Sequence, residues 1–559
     1  WRTTQRGSFV GAVDVVSPGP TTLANRWRDK RAIDLPNFGA GDRAGQAVAL
    51  APLALTDGSK TPLALVGTPG ASSPTHLRAG AVDIFAGDGT HPVQRITVDQ
   101  DGDQIGTDVV SLDFDGDGQL DLAVAAPNET AGGPEVKGFA DPDGCSPLDA
   151  KGNPTRTLGR GVVRIYSRVG GAMVERFRLT APREAHRDPP QRPYARSHFG
   201  YAIAAADVNG DKKDDLVVGR IGHLEQSGAE IVLGRKPDPS GRVLIVCNTG
   251  ETGKYGAIVM PAATLESPTS YGPAVSRIGD LDKDGCDEVA MSIVRSDGKG
   301  ARSGVAVAFG YDATGAHCRG HEKPFVLHLS PDDHKLADNV VGDPKTQRND
   351  LDEFIPRAAG VGHALAHGAG DFTGDGVPDL VVQDNDLASS GTDGPAVEII
   401  SGAYLAGLCP NRACPKGRHD AFFSDGDWHV LGLRPLPPAV RRIIPSGGAT
   451  RGGIVSMTLA DVTGDGIVDL AVGAPDDSDE GPFSGEVRIY RGGKNASTQE
   501  ALLGDPFLIA VGDITERGAF GTSIALGPMT LLVGAPMSTR KHTGGSVGAA
   551  YRWAIEVPR

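Results

Sequence analysis

Five copies of one acidic turn punctuate the chain, and they organise it before any other property does. Oxygen-bearing side chains stand at positions 1, 3, 5 and 9 of a nine-residue run. The first copy has Asp113, Asp115, Asp117 and Asp121, and the second Asp207, Asn209, Asp211 and Asp215. The third has Asp280, Asp282, Asp284 and Glu288, the fourth Asp371, Thr373, Asp375 and Asp379, and the fifth Asp461, Thr463, Asp465 and Asp469. They start 94, 73, 91 and 90 residues apart, and most lead into an apolar run such as Leu122–Pro127 or Leu470–Pro475. A repeat of that length carrying only short strands marks a propeller blade or a similar array.

Two further copies keep the frame without the acids. One runs from Gly45 through Asp57 and Gly58 to Leu63–Pro69, the other from Phe520 and Gly521 to Leu531–Pro536. Each of the seven copies has a later stretch of strand length: Ala81–Phe85, Val162–Tyr166, Glu230–Leu233, Val305–Phe309, Val397–Ile400, Val487–Tyr490 and Val547–Tyr551. These are rich in β-branched and aromatic residues and read with period two or as continuous apolar runs. The expected fold is all-β: a seven-bladed β-propeller of four-stranded antiparallel blades, a ring without exposed edges.

Charge and hydropathy remove other classes. Lys and Arg number 55 against 70 Asp and Glu, a net charge of −15, which argues against nucleic acid and anionic membrane surfaces. No run of 18 apolar residues exists to span a bilayer as a helix. Six cysteines lie outside any zinc-like spacing, and an even count fits three disulfides in an exported protein. Cys409 with Cys414 is the best local pair, because a short Pro-containing loop brings the two within reach. Cys286 with Cys318 and Cys145 with Cys247 follow by elimination. The start at Trp1 without an apolar leader fits a processed form or a trimmed one.

The Phe-Gly openings at Phe199-Gly200 and Phe520-Gly521, the acidic turns and the Gly-Ala-Pro closes resemble FG-GAP repeats. Such repeats build the propeller of integrin alpha chains and of many bacterial secreted proteins. The resemblance covers residues 31–559 and implies an extracellular or cell-surface protein, calcium at the acidic turns and partners bound on the opposite face. It further implies that the last blade takes its outer strand from the N-terminus. Arg31–Leu35 is the first candidate and Phe9–Val16 the second, leaving residues 1–30 as an arm.

The turns themselves point to a hard cation. Four side-chain oxygens and the backbone carbonyl of position 7 (Gln119, Lys213, Cys286, Val377 or Ile467) make a cage of the kind Ca²⁺ accepts, and Gly at position 6 permits the bend. Position 12 holds Val124, Val218, Met291, Val382 or Val472, which excludes an EF-hand and its bidentate Glu. The first turn has the fullest carboxylate set. Lys212 replaces the position-6 Gly in the second, and Thr373 and Thr463 each remove a charge. No nucleophile or His lies in the motif, so about five structural Ca²⁺ are expected.

No catalytic constellation can be assembled. Thr314–Cys318 resembles a protease histidine motif, but its Gly-Asp-Ser-Gly-Gly companion is absent, and Pro445–Gly448 is only a loop. Neither a Gly-x-Ser-x-Gly elbow, a P-loop nor His-Glu-x-x-His occurs. What distinguishes the chain is its long connections at 128–160, 181–198, 330–362 and 432–452. Arg183, Arg187, Arg192, Tyr194 and Arg196 in the second of these are the residue types suited to a protein or glycan ligand. The leading function is a secreted binding or adhesion module. The alternatives are a polysaccharide-acting enzyme using His186, His198 or His363, and a structural subunit of an extracellular assembly.

Overall fold

The computed structural model describes residues 2–3, 9–10, 25–27, 31–32, 41–51, 63–86, 92–98, 101–129, 139–140, 161–180, 198–220, 228–247, 258–259, 274–296, 301–308, 310, 318, 325–328, 361–384, 396–408, 429–432, 440–443, 456–475, 477, 484–493, 506–512, 518–527, 530–538 and 548–554. Among these residues the protein is all-β apart from one short helix, Gly402–Leu408, whose first turn is capped by Ser401.

Seven sheets of four to six strands follow the repeat. Sheet one is Ala47–Ala51, Leu63–Thr68, Ala81–Phe85 and Gln94–Thr97. Sheet two is built on Val109–Leu112, Asp121–Ala126, Val162–Val169 and Ala172–Thr180. Sheet three holds Ala202–Ala206, Asp215–Arg220, Gly228–Val232 and Ile258–Val259. Sheet four has Val275–Gly279, Glu288–Ser296, Ala301–Ala308 and Phe325–His328. Sheet five has Val361–Leu365, Leu380–Asp384, Ala396–Ile400 and Val440–Ile443. Sheet six is Ser456–Ala460, Asp469–Ala474, Glu486–Tyr490 and Leu508–Val511. Sheet seven is Ser523–Gly527, Thr530–Ala535 and Ala549–Ala554, with Arg31–Ala32 antiparallel on its outer edge.

The expected four-stranded antiparallel plan needs one correction. Sheets two, four and six each gain a parallel strand on the outer edge: Val243–Cys247, His429–Gly432 and Asn25–Trp27. Each is followed along the chain by the fourth strand of the next sheet, Ile258–Val259, Val440–Ile443 and Arg31–Ala32. The connection to that fourth strand thus detours along the neighbouring sheet and satisfies backbone groups that an edge would leave bare. Sheet two adds a sixth, Phe139–Ala140. Of Phe9–Val16, the second candidate for the last outer strand, the described residues Phe9–Val10 pair instead with Arg2–Thr3.

Second strands read as unbroken apolar runs because both of their faces are covered. Leu63–Thr68, Asp121–Ala126, Asp215–Arg220 and Thr530–Ala535 are buried at every residue. Apolar clusters fill the spaces between successive sheets. Phe199, Ile203 and Val218 of the third repeat meet Ala125, Val163 and Ile165 of the second. Ala525, Leu532 and Ala550 of sheet seven meet Val48, Ala64 and Phe85 of sheet one in the same manner. The innermost strands also touch their neighbours, sheet seven's contacting sheet one's. Burial pushes the carboxyl of Asp108, just before sheet two's first strand, up, opposed chiefly by His367.

Backbone joints reinforce those cores. Gly80, Gly161, Gly485 and Gly548, each just before a third strand, form parallel bridges or close backbone contacts to Ile105, Phe199, Phe520 and Ala44 of the following repeat. All four glycines have positive φ, and a Cβ on Gly548 would stand 2.3 Å from the Ala44 nitrogen and oxygen. The residue two before each opening Gly is also left-handed: Arg43, Gln104, His198 and Ala519, with φ between 40° and 57°. That is the role the fold assigns to His198, whose carbonyl accepts the Tyr201 N–H.

Candidate metal centres

Each acidic turn joins the first and second strands of its sheet, so all five copies meet the same backbone demand. The chain enters the left-handed region at position 4 as well as at position 6. The φ angles are 67° and 80° at Gly116 and Gly118, 70° and 64° at Gly210 and Lys212, and 59° and 92° at Lys283 and Gly285. They are 72° and 88° at Gly374 and Gly376, and 76° and 87° at Gly464 and Gly466. Eight of these ten residues are glycine, and the two lysines hold conformations L-residues adopt at a cost.

Hydrogen bonds then aim the carboxylates. At position 1, Asp113 accepts the N–H of Asp117 on Oδ1 (3.1 Å) and of Gly118 on Oδ2 (3.0 Å). Asp207, Asp280, Asp371 and Asp461 do the same in their turns. The position-5 carboxylate takes the N–H of position 7, from Gln119, Lys213, Cys286, Val377 and Ile467 in turn. At position 9, Asp215, Glu288, Asp379 and Asp469 each accept a turn N–H on one oxygen and a glycine N–H beyond the third strand (Gly234, Gly310, Gly402 or Gly492) on the other. Asp121 accepts the Phe114 N–H likewise. A side chain at position 2 anchors every turn in the core: Phe114, Val208, Leu281, Phe372 and Val462 are all buried.

Three of the turns bring acidic oxygens together outright. Ligand atoms of Asp113, Asp115 and Asp121, of Asp280, Asp282 and Glu288, and of Asp371, Asp375 and Asp379 lie within 4.8 Å of one another. Burial, reinforced by the other carboxylates, pushes the acids of Asp121 and Asp379 up to about 7 and raises those of Asp215 and Asp469. A like-charged, partly desolvated cluster of this sort is relieved either by a proton or by a cation. In the fifth turn the Thr463 hydroxyl oxygen is buried without a hydrogen-bond partner. It is a neutral oxygen at the very position where an ion would take one, and the donor set is all oxygen, so the residues fit a hard divalent cation.

The second turn differs. Lys213 Nζ pairs with the Asp211 carboxylate, so this turn carries a cation of its own beside Asn209. Position 7 was expected to matter only through its carbonyl, and the lysine side chain folded back onto position 5 is a correction to that. In the third turn Cys286 is disulfide-bonded to Cys318 (Cα–Cα 5.8 Å), the pairing expected by elimination. The other expected pairs involve Cys145, Cys409 and Cys414, outside the described residues, and the Cys247 side chain, which is also outside them. Arg183, His186, Arg187, Arg192, Tyr194 and Arg196 lie outside them too, as does the His363 side chain.

Position 8, to which no role was assigned, is where neighbouring turns meet. Asp214 Oδ2 accepts the N–H of Asp113 at 2.7 Å, and its own N–H donates to the Asp113 carbonyl at 2.9 Å. Asp287 repeats both bonds with Asp207, each at 2.8 Å. Only a side-by-side view of all five turns could have raised position 8 in the sequence, since it varies among Leu120, Asp214, Asp287, Pro378 and Val468.

Comparison with known proteins agrees with the repeat. The FG-GAP repeat family matches residues 105–139, 199–220 and 454–490. Integrin alpha-IIb of Homo sapiens is 33% identical over 96 residues, 17% of this chain and 9% of that protein. Integrin alpha-PS3 of Drosophila melanogaster is 24% identical over 188 residues, 33% of this chain and 13% of that protein. The chain therefore spans about a tenth of the length of these relatives. Among solved structures, AofleA from Arthrobotrys oligospora aligns over 82% of this chain and 85% of its own at 11% identity, with a TM-score of 0.34, too low to bear on the fold. The chain thus carries FG-GAP repeats over those three stretches and resembles integrin alpha chains along part of its length.

Proposed function

We propose that the chain is a calcium-stabilised, seven-bladed propeller of residues 31–559, with Asn25–Trp27 added to its sixth sheet, closed by its N-terminal segment, that serves outside the cell as a binding module. The observation that carries the reading is the recurrence of one oxygen cage, with the same hydrogen bonds, at the same place in five successive sheets. Support for a closed ring comes from the sheet seven to sheet one cluster, the Gly548–Ala44 bridge and the Arg31–Ala32 pairing. The Ca²⁺ ions would be held by the side chains at positions 1, 3, 5 and 9 with the carbonyl of position 7. They would supply charge neutralisation and turn locking.

Recognition is assigned to the face opposite the turns. Strands alternate in direction, so a connection from second to third strand, such as 128–160, leaves the sheet at the end away from the acidic turn. The connections from a fourth strand to the next inner strand, such as 181–198, leave at that end too. A ring holds them close together, and Arg192 with Tyr194 supplies a bidentate cation and an aromatic anchor. A protein ligand is the first choice, in keeping with the integrin alpha resemblance, and a glycan the second.

The test is binding to a panel of extracellular matrix proteins and a glycan array, with and without chelator. Binding by the wild-type chain in Ca²⁺ that falls by roughly 2 kcal/mol on Arg192→Ala with Tyr194→Ala supports the assignment. Equal binding by that double variant, with loss instead on changing Lys212 on the turn side, overturns it.

A further inference from the structure

The five turns are not equally joined to one another. Asp214 and Asp287 lie at position 8, outside the oxygen cage, yet each holds position 1 of the preceding turn by two hydrogen bonds. Asp214 grips Asp113 (2.7 and 2.9 Å), and Asp287 grips Asp207 (both 2.8 Å). The Lys213 stem also lies against Gly116, leaving no room there for a Cβ. Arg277 fixes Asp287 through Nε at 2.8 Å and Nη2 at 3.1 Å. Turns one, two and three are therefore tied in series.

The series stops at the fourth turn. Pro378 stands at its position 8, with neither an N–H to donate nor a carboxylate to accept, and its ring packs on Gly279 next to Asp280. Turns four and five keep one backbone bond, Val468 N to Asp371 O at 3.3 Å, with no side-chain acceptor. A position-1 aspartate whose own backbone is clamped loses less freedom when its carboxylate takes an ion. An ion that orders one turn thereby also orders the clamp on the turn before it.

We propose that Asp214 and Asp287 are positioning residues that couple turns one to three into one cooperative cation-binding unit, and that Pro378 ends the unit. The inference rests on the calcium reading of the turns. It goes beyond that reading in giving neighbouring sites unequal coupling and in naming residues that touch no ion.

Isothermal titration of the metal-stripped whole chain with Ca²⁺ alone tests it. The site lost in Asp117→Asn identifies turn one. Asp214→Ala is expected to weaken that site roughly tenfold, whereas Asp214→Asn, which keeps an acceptor for the Asp113 N–H, holds it within about twofold. Breaking turn two with Asp211→Asn should weaken turn one as well, and breaking turn four with Asp375→Asn should leave turn three unchanged. Unfolding in chelator, if unaltered by Asp214→Ala, separates lost coupling from lost structure; a variant that fails this check is replaced by Asp287→Ala, read at turn two. Saturable Ca²⁺ uptake with turn-one affinity unmoved by the loss of Asp214 or of turn two overturns the coupling and leaves the calcium reading standing. So does turn three weakening on loss of turn four. No Ca²⁺ uptake by the wild type overturns both.

Discussion

Lys212→Gly and Lys283→Gly should each make the protein more stable, although they remove side chains and add backbone freedom. Both lysines are exposed and sit in the left-handed region, at φ 64° and 59°, where eight equivalent residues of the five turns are glycine. Holding an L-residue there costs roughly 1–2 kcal/mol. Glycine returns about 0.5–1 kcal/mol of that through its greater freedom when unfolded. The net gain is about 0.5–1 kcal/mol per site, so the double variant should gain about 1–2 kcal/mol. For a chain of 559 residues the unfolding entropy is so large that 1 kcal/mol moves Tm by only about 1 °C. A urea midpoint with an unchanged slope is therefore the better measurement. Lys212→Gly also removes a positive charge beside Asp207 and should tighten Ca²⁺ at the second turn. A midpoint that falls in the double variant would show that these backbones are unstrained and that the lysines contribute through contacts instead.

Two further outcomes follow from the joints and from the buried acids. Gly548→Ala forces a Cβ onto the Ala44 backbone at 2.3 Å, whereas Gly102→Ala, at a similar φ of 79°, meets nothing within 4 Å. The first should cost about 3 kcal/mol or more and the second about 1 kcal/mol, and equal urea midpoints for the two would refute the joint. In chelator, Asp121 and Asp379 hold protons up to about pH 7 when folded but release them near 3.8 when unfolded. Metal-free stability should thus fall as pH rises through that window, while the gain on adding Ca²⁺ should grow, because the ion needs the carboxylates the proton occupies. A chelated chain whose stability rises from pH 5 to pH 8 contradicts this.

The turns were legible because their constraints are local. Position 1 bonds to N–H groups four and five residues on and position 5 to the N–H two residues on, so these demands lie within nine residues and recur in register. The second strands were legible for a similar reason, since covering both faces turns them into apolar runs. What depended on partners far along the chain was not. The run Val243–Cys247 reads as a strand, but nothing in it says that it lies beside Ala172–Thr180. Arg164 looks like a surface residue of a third strand, yet it is buried and forked onto Glu129 at 2.7 and 2.8 Å, 35 positions away. The clamps of Asp214 and Asp287 span 101 and 80 positions. One opening pair also hid because it lacks Phe: Ile105-Gly106 takes the backbone of Phe199-Gly200 without its side chain.

The account stands on calcium in the turns, and the most direct measurement is the unfolding of the metal-stripped whole chain in excess chelator and in about 1 mM Ca²⁺, with bound metal quantified in both. A site with a Kd of about 0.1 mM adds roughly 1.4 kcal/mol at that concentration, so five add on the order of 7 kcal/mol. For 559 residues melting together that is about 6 °C in Tm. The account predicts that shift with several Ca²⁺ bound per chain, smaller after Asp117→Ala than after Asp465→Ala because the first turn has the fuller carboxylate set. Superimposable unfolding curves, with no Ca²⁺ retained by the untreated protein, would contradict it.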